Sequence, residues 1–256
     1  MRSGLLDNGV LYRTFDETVH PGMRLGRNLC LDARSLRFMV ERYPDAMRAP
    51  VTDRHWERVL AILDQGALGS CTGNAGTGAL GTQPLFDAVG RSVLPDPADA
   101  RAAERFAVGL YRDATVVDGY PGVYPPDDTG SSGLAVCKVL RDRHTIHGYR
   151  WASTAAGFAR LLQDGPVLQG LPWYESFFEP DGAGFVDADP HWADSPLAGG
   201  HEIEAIAIEI DPHDLLDSVV TYANSWGTGW GDHGYLRMRL RTSEALDGVD
   251  LKQLVV

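Results

Sequence analysis

Three short motifs that lie far apart in this 256-residue chain constrain its fold more than any other feature. The motifs are Gln65-Gly66-Ala67-Leu68-Gly69-Ser70-Cys71, then Gly199-Gly200-His201, and finally Asn224-Ser225-Trp226-Gly227. His201 follows Cys71 by 130 residues, and Asn224 follows it by 153 residues. A single cysteine with a histidine and an asparagine far downstream is typical of a nucleophile whose partners meet it only in the folded chain. The fold is therefore expected to bring these three motifs together.

Each of these residue types has a defined chemical task. A cysteine attacks as the thiolate, although the pKa of a free thiol is about 8.5. We expect Cys71 to begin a helix and His201 to hold its proton as an imidazolium, because both features lower the thiol pKa. Asn224 is expected to accept the ring N–H of His201 and to orient it. Gln65 and the backbone N–H of Cys71 are expected to donate to an oxyanion, a contribution of about 3–4 kcal/mol per donor.

The residue sequences of the three motifs resemble those of the papain superfamily of cysteine peptidases. The third motif continues the resemblance as Asn-Ser-Trp-Gly-x-x-Trp-Gly-x-x-Gly-Tyr, and the similarity runs from about residue 53 to about residue 238. The resemblance implies an α+β fold with two lobes, one helical and N-terminal, the other C-terminal and like an antiparallel β-barrel. The active-site cleft would then lie between the lobes, with Cys71, His201, Asn224 and Gln65 as its catalytic residues.

The same resemblance indicates candidate substrate-binding residues. The tryptophan after the asparagine shields the histidine–asparagine hydrogen bond in that family, a task that would fall to Trp226. The string from residue 130 to residue 133 lies where relatives place a glycine-rich loop that pairs with the substrate backbone and borders the S2 pocket. The candidate substrate-binding residues are therefore Ser131, Ser132, Gly133, Gly200 and Trp226.

Two positions depart from the family's pattern. Thr72 stands where a tryptophan usually follows the nucleophile, which widens the floor beside the thiol. Leu68 stands where secreted relatives carry a cysteine that forms a disulfide. With only Cys30, Cys71 and Cys137 in the chain, the cysteines do not form a disulfide framework, and their number suits a reducing compartment.

The hydrophobic pattern also predicts helices first and strands afterwards, which is typical of an α+β fold. Amphipathic helices are expected at residues 99–111 and 134–143. Short apolar runs that read as strands occupy residues 167–171, 203–210, 219–222 and 235–240. The glycine-rich run after Cys71 would weaken an exposed helix, so we expect that helix to be central and closely packed.

We divide the chain into an N-terminal extension, residues 1–50, and a catalytic domain, residues 51–256, with a helical lobe at about 51–148 and a β lobe at about 149–256. The extension is interpreted as a structural arm or a short pro-segment, and it contains one predicted helix at residues 32–43. We expect it to lie along the back of the lobes and the untrimmed chain to be active. Residues expected to cover apolar surface there are Leu25, Leu29, Leu36 and Phe38.

Composition narrows the function further. A net charge of −12 argues against nucleic acid or an anionic membrane as partner. We find no secretory signal, so a cytoplasmic location is expected, with non-classical export open. The predicted function is a cysteine endopeptidase that cleaves a peptide or protein substrate through an acyl-enzyme, without a metal or other cofactor. Acyl transfer to an amine and a non-catalytic module of the same fold remain as alternatives.

Overall fold

Helices are concentrated in the first half of the chain and the larger sheet in the second half. The structure is a computed structural model that describes residues 2–7, 9–246 and 250–256. The α-helices are α1 Pro44–Arg48, α2 Cys71–Leu80, α3 Arg91–Val93, α4 Ala100–Val117, α5 Gly133–Asp142, α6 Ala155–Leu161 and α7 Leu240–Ala245. Short 3-10 helices occupy Ala33–Phe38, Val40–Arg42, Glu175–Phe178, Trp192–Asp194 and Leu215–Asp217, and a π-helical turn at Phe86–Gly90 leads into α3.

The strands form two antiparallel sheets. The strands are β1 Arg2–Leu5, β2 Leu11–Thr14, β3 Leu29–Leu31, β4 Arg54–His55, β5 Gly148–Ala152, β6 Val167–Tyr174, β7 Leu197–Glu209, β8 Val219–Ala223, β9 Tyr235–Arg239 and β10 Leu251–Val255. The smaller sheet has the order β1-β2-β3. The larger has the order β5-β10-β6-β7-β8-β9, with β4 added to β7. The predicted α+β class is confirmed, and all four predicted strands lie in the larger sheet.

Helix α2 is the centre of the helical part of the molecule. All of its residues are buried, and it packs on α4, α5 and β7. A Cβ at Gly73 would lie 2.8 Å from Cβ of Tyr111 in α4, and one at Gly76 would lie 2.5 Å from Cγ1 of Val136 in α5. The glycines therefore allow close helix packing, as the sequence predicted.

The two parts of the chain have separate apolar cores. In the β part, Phe158 and Leu161 of α6 pack with residues of β6, β7 and β8 such as Leu171, Ile203 and Tyr222. In the helical part, α2, α4 and α5 pack together through residues that include Leu80, Leu110 and Leu140. The second core also includes Leu168 of β6 and Leu254 of β10, and α2 packs directly on β7.

The predicted helix at residues 32–43 is wrong. Two short 3-10 helices are found there instead, because tertiary contacts with β5 fix the segment. The Ser35 hydroxyl bonds to the Tyr149 hydroxyl over 2.7 Å, and the Ser35 carbonyl accepts the indole N–H of Trp151. The predicted helix at residues 99–111 is confirmed and extends to Val117, with Asp99 capping it through a bond from the backbone N–H of Ala102.

Across residues 2–7, 9–246 and 250–256, we find no helix with the length and apolarity needed to cross a membrane.

Candidate active site

Cys71 occupies the first position of α2, as predicted, and its side chain is fully buried. Ser70 precedes it as the N-cap residue. The backbone N–H of Glu202 in β7 donates to the Cys71 sulfur. Glu202 directly follows His201, so this bond brings the first and second motifs together at the junction of α2 and β7.

The His201 side chain bonds to Asn224, as the sequence predicted. His201 Nε2 lies 2.8 Å from Asn224 Oδ1, and both side chains are buried. The other ring nitrogen, Nδ1, is buried and has no hydrogen-bond partner in the part of the chain that the structure describes. Because Asn224 is only an acceptor at Oδ1, Nε2 carries the ring proton in the neutral imidazole, and Nδ1 is left free to accept a proton.

Aromatic side chains cover the His201–Asn224 pair. The Trp226 ring stacks on the imidazole with a centroid distance of 4.6 Å and an interplanar angle of 20°. Trp173 meets the imidazole edge-on at 5.0 Å. These rings exclude water from the hydrogen bond, which matches the position expected of Trp226.

Gln65 lies beside the same group of residues, held by the third motif. Its Oε1 accepts the hydroxyl of Ser225 over 2.6 Å. Its Nε2 donates to the backbone carbonyl of Leu68 over 2.8 Å and to that of Leu25 over 3.3 Å. The donor that we assigned to an oxyanion is therefore engaged by a carbonyl group of the N-terminal region.

A stretch of the N-terminal region, residues 24–28, lies across these motifs, and we call it the cleft segment. On one side, the backbone N–H of Arg27 donates to the carbonyl of Gly200 over 2.9 Å. On the other, the backbone N–H of Ser131 donates to the Gly26 carbonyl over 2.9 Å, and the Asn28 N–H donates to the Ser131 carbonyl over 2.6 Å. The cleft segment is thus hydrogen-bonded to both lobes.

The expected placement of the extension along the back of the lobes is therefore wrong for residues 24–28. The indole N–H of Trp226 donates to the Arg24 carbonyl over 3.0 Å, which adds a further bond to the third motif. Leu25 and Leu29 are buried, but Leu36 stays exposed. The physical reason is backbone pairing: both Gly200 and Ser131 offer main-chain groups that the extension satisfies.

Gly26 allows the closest approach. Its φ is +122°, and an added Cβ would overlap the carbonyl of Gly69 and lie 2.7 Å from the Gly69 Cα. Any larger residue at position 26 would both strain the backbone and collide with the loop before Cys71. The fit of the cleft segment therefore depends on this glycine.

Burial of Cys71 and His201 changes the electrostatics that we expected. Burial raises the pKa of the Cys71 thiol well above its ordinary value. Burial lowers the pKa of His201 to about 4, although the bond to Asn224 opposes this change. Burial therefore opposes the predicted thiolate–imidazolium pair in this form of the protein.

The remaining candidate substrate-binding residues lie at the start of α5 and just before it. The Ser131 hydroxyl donates to Asp118 over 2.7 Å, and burial raises the pKa of Asp118 to about 6. Ser132 is the N-cap of α5, which begins at Gly133. Thr72 is buried in α2 behind Cys71. The three cysteines are free thiols.

Two acidic residues near the site were missed by the sequence analysis. Glu202 is buried directly after His201, a position that the second motif could have drawn attention to. Asp250 is buried where β10 approaches β6, and the sequence around it carries no motif. Both side chains lie close to Arg27 of the cleft segment.

Solved structures with the same architecture decide the fold. Xylellain, a cysteine protease from Xylella fastidiosa, matches with a TM-score of 0.65 at 16% identity over 92% of this chain and 96% of that one. Digestive procathepsin L 3 of Tenebrio molitor matches with a TM-score of 0.56 at 17% identity over 82% of this chain and 71% of that one. The bromelain protease from Ananas comosus matches with a TM-score of 0.52 at 13% identity over 78% of this chain and 94% of that one.

The chain has the papain-like fold. Comparison of sequences alone supports the papain-like assignment over shorter stretches. A cathepsin B-like cysteine proteinase 6 from Caenorhabditis elegans is 34% identical over 80 residues, which is 30% of this chain and 18% of the relative. Gamete and mating-type specific protein A from Dictyostelium discoideum is 27% identical over 191 residues, 69% of this chain and 40% of the relative. The chain thus spans less than half the length of these curated relatives, and no family model matches it.

Proposed function

We propose that this protein is a cysteine endopeptidase with Cys71 as nucleophile and His201 as its acid–base partner. The papain-like fold supports a peptidase function. The single observation that carries the residue assignment is the buried His201–Asn224 hydrogen bond of 2.8 Å, which leaves Nδ1 as the free nitrogen of the ring. That nitrogen belongs to the residue next to Glu202, whose backbone N–H donates to the Cys71 sulfur.

The proposed reaction proceeds through an acyl-enzyme. Nδ1 of His201 takes the proton of the Cys71 thiol, and the thiolate forms a bond to the carbonyl carbon of the peptide. The tetrahedral oxyanion is stabilised by the side-chain N–H of Gln65 and the backbone N–H of Cys71. His201 then gives its proton to the leaving amine as the C–N bond breaks. Water, deprotonated by His201, attacks the thioester and releases the carboxylic acid and the free thiol.

The cleft segment makes the described form latent in this proposal. The Leu25 carbonyl is bonded to the Gln65 amide, the donor that a reacting peptide would need. Arg27 pairs with Ser131 as a parallel bridge, and Ser131 belongs to the loop that we assign to the substrate backbone. A peptide substrate and the cleft segment therefore compete for the same main-chain groups. This supports the interpretation of residues 1–50 as a short pro-segment rather than a structural arm.

Displacement of the cleft segment would also activate the nucleophile. Cys71 and His201 are buried in the form that carries the segment, and burial disfavours the charged form of each group. Once the segment leaves, water and substrate would reach Cys71 at the N-terminus of α2, where the helix favours a thiolate. The thiolate–imidazolium pair is accordingly assigned to the open form.

Peptide hydrolysis tests the proposal. The full chain is incubated under reducing conditions with a mixture of internally quenched peptides, alongside the variants Cys71→Ala and Cys137→Ala. Cys137 is a matched control because it is also fully buried and helical, and it belongs to α5 and to none of the three motifs. We expect slow hydrolysis by the wild type and by Cys137→Ala, from the minor fraction of molecules in which the cleft segment is displaced, and none by Cys71→Ala. Hydrolysis by Cys71→Ala at the wild-type rate would contradict the nucleophile assignment.

A further inference from the structure

The Arg27 side chain of the cleft segment is buried, although arginine is seldom buried without a partner. Only 1% of it is exposed, and it enters a pocket beside β6. Its Nε and Nη2 both donate to Oδ2 of Asp250, over 3.0 Å and 2.6 Å. The backbone of the same residue pairs with Ser131. The side chain therefore fills a pocket directly beneath the loop that we assign to the substrate backbone.

Three charged side chains converge on Gly170 in β6. An added Cβ at Gly170 would lie 2.5 Å from Arg27 Nε and 2.7 Å from Glu202 Oε2, and it would overlap Oδ2 of Asp250. The absence of a side chain at position 170 therefore makes room for a guanidinium group. Lys252 completes the pocket and forms an ion pair with Asp250.

In the closed form, Arg27 adds a second positive charge beside that of Lys252. When the cleft segment leaves, Oδ2 of Asp250 loses both N–H groups of Arg27. A bound peptide that covers this carboxylate again without supplying such donors would do so at a considerable cost in free energy. Lys252 remains as one partner, but Glu202 and Asp250 together present two buried carboxyl groups. The open pocket thus favours a side chain that restores a positive charge and two N–H donors.

We propose that this pocket, formed by Gly170, Glu202, Asp250 and Lys252, binds an arginine side chain of the substrate. The arginine would be the residue that pairs with Ser131, at the second position before the scissile bond (P2). Arginine fits better than lysine because two N–H groups on one edge of its planar guanidinium can bond to the same carboxylate oxygen. Leucine is disfavoured because it would bury Glu202 without a donor and would leave Asp250 with Lys252 as its remaining partner. This inference rests on the proposed peptidase function.

The test requires an empty pocket in the full chain. The double variant Gly26→Ala/Arg27→Ala provides one, because the first change makes the cleft segment collide with Gly69 and the second removes the guanidinium. Two fluorogenic peptides that differ only by arginine or leucine at the second position before the scissile bond are compared by kcat/KM. We expect the arginine peptide to be preferred at least about tenfold, as loss of a charged hydrogen bond would give.

Further variants in the same background locate the preference. Asp250→Asn should lower the arginine-to-leucine ratio at least about tenfold. Gly170→Ala should lower the same ratio by a steric route, which keeps the test open if Asp250→Asn does not fold. Glu204→Gln is the matched control. Glu204 is a buried carboxyl group on β7, the strand that carries Glu202, but it pairs with Arg58 and does not belong to the pocket. It should leave the ratio unchanged.

A binding measurement separates this inference from the proposed function. The peptide acetyl-Leu-Gly-Arg-Asn-amide has the sequence of residues 25–28 of the cleft segment. This peptide and its Arg→Leu counterpart are titrated calorimetrically into the double variant that also carries Cys71→Ala. The outcome that supports the pocket and contradicts the peptidase is tighter binding of the arginine peptide combined with no hydrolysis of either peptide by the double variant that retains Cys71. Hydrolysis with equal or better use of the leucine peptide, or equal binding of the two peptides, would overturn the arginine pocket and leave the peptidase assignment standing.

Discussion

The side-chain N–H of Gln65 donates to the backbone carbonyl of Leu25 over 3.3 Å, across 40 residues of sequence. A carbonyl group of the protein itself therefore lies at the donor that we assign to the oxyanion of the reaction. The cleft segment resembles a bound peptide in this respect, with main-chain bonds to Ser131 and Gly200 on either side. The competition between this segment and substrate underlies most of the predictions below.

Alkylation of Cys71 should depend on pH in opposite ways in the closed and open forms. Burial raises the Cys71 pKa in the closed form, so the thiolate population is very small at pH 7 and increases only as the solution becomes alkaline. In the Gly26→Ala chain, an ion pair with His201 should give a thiolate already at pH 5. The measurement is the rate of adduct formation with an epoxysuccinyl inhibitor between pH 5 and pH 10, followed by peptide mapping.

The matched control for that experiment is His201→Ala in the Gly26→Ala background. It should lose the reactivity at pH 5 and regain labelling only at alkaline pH. Identical pH profiles with and without His201 would show that this residue does not lower the thiol pKa. Labelling of Cys30 or Cys137 in preference to Cys71 would contradict the assigned nucleophile.

Gln65→Glu should separate the donor role of Gln65 from its structural role. A glutamate still offers an oxygen to the Ser225 hydroxyl, which Gln65 Oε1 accepts now, but it cannot donate to an oxyanion. In the Gly26→Ala background, kcat should fall by about 10²–10³ with a smaller change in KM. Steady-state kinetics with one fluorogenic peptide provide the measurement, and an unchanged kcat would exclude Gln65 as a donor in the transition state.

Arg58→Ala should strongly destabilise the protein. Arg58 forms a buried ion pair with Glu204 and donates from Nε to the Leu60 carbonyl over 3.1 Å. Removal of the guanidinium leaves Glu204 buried without its cation, at a cost of about 3–5 kcal/mol in the free energy of unfolding. Urea unfolding followed by tryptophan fluorescence measures the difference.

The control for this prediction is an ion pair on the surface. Arg91 and Asp87 are 2.6 Å apart, and both side chains are largely exposed. Arg91→Ala should therefore lower the free energy of unfolding by less than about 1 kcal/mol. Equal effects of Arg58→Ala and Arg91→Ala would show that burial does not set the strength of the Arg58–Glu204 pair.

The sequence was sufficient to predict the structure where a motif and the local residue pattern indicate the same element. The glycine run after Cys71 predicted a central helix, and Gly73 and Gly76 do allow close approach of α4 and α5. The string around Asn224 predicted a hydrogen bond to His201, which the structure contains. The chemical roles of these residues stay predictions, as do the domain boundaries.

The sequence was insufficient where distant backbone groups decide the structure. Residues 24–28 have no periodic hydrophobic pattern. Their position depends on main-chain hydrogen bonds to Gly200 and Ser131, which cannot be predicted from the types of the side chains. The helix predicted at residues 32–43 does not form, because Ser35 makes hydrogen bonds to residues of β5. The expectation of a low thiol pKa did not include the burial of Cys71, which raises that pKa.

The rate of peptide hydrolysis by Gly26→Ala, compared with Gly22→Ala and wild type, tests the account most directly. Both glycines have a positive φ, but an added Cβ at Gly22 meets nothing within 4 Å, whereas one at Gly26 overlaps the carbonyl of Gly69. The full chains are assayed with the same quenched peptide under reducing conditions, and Cys71→Ala supplies the background rate. We predict at least about a tenfold higher rate for Gly26→Ala, which corresponds to a loss of about 1.4 kcal/mol in cleft-segment binding, and the wild-type rate for Gly22→Ala. Equal rates for all three chains, well above that of Cys71→Ala, would show that the cleft segment does not inhibit the peptidase.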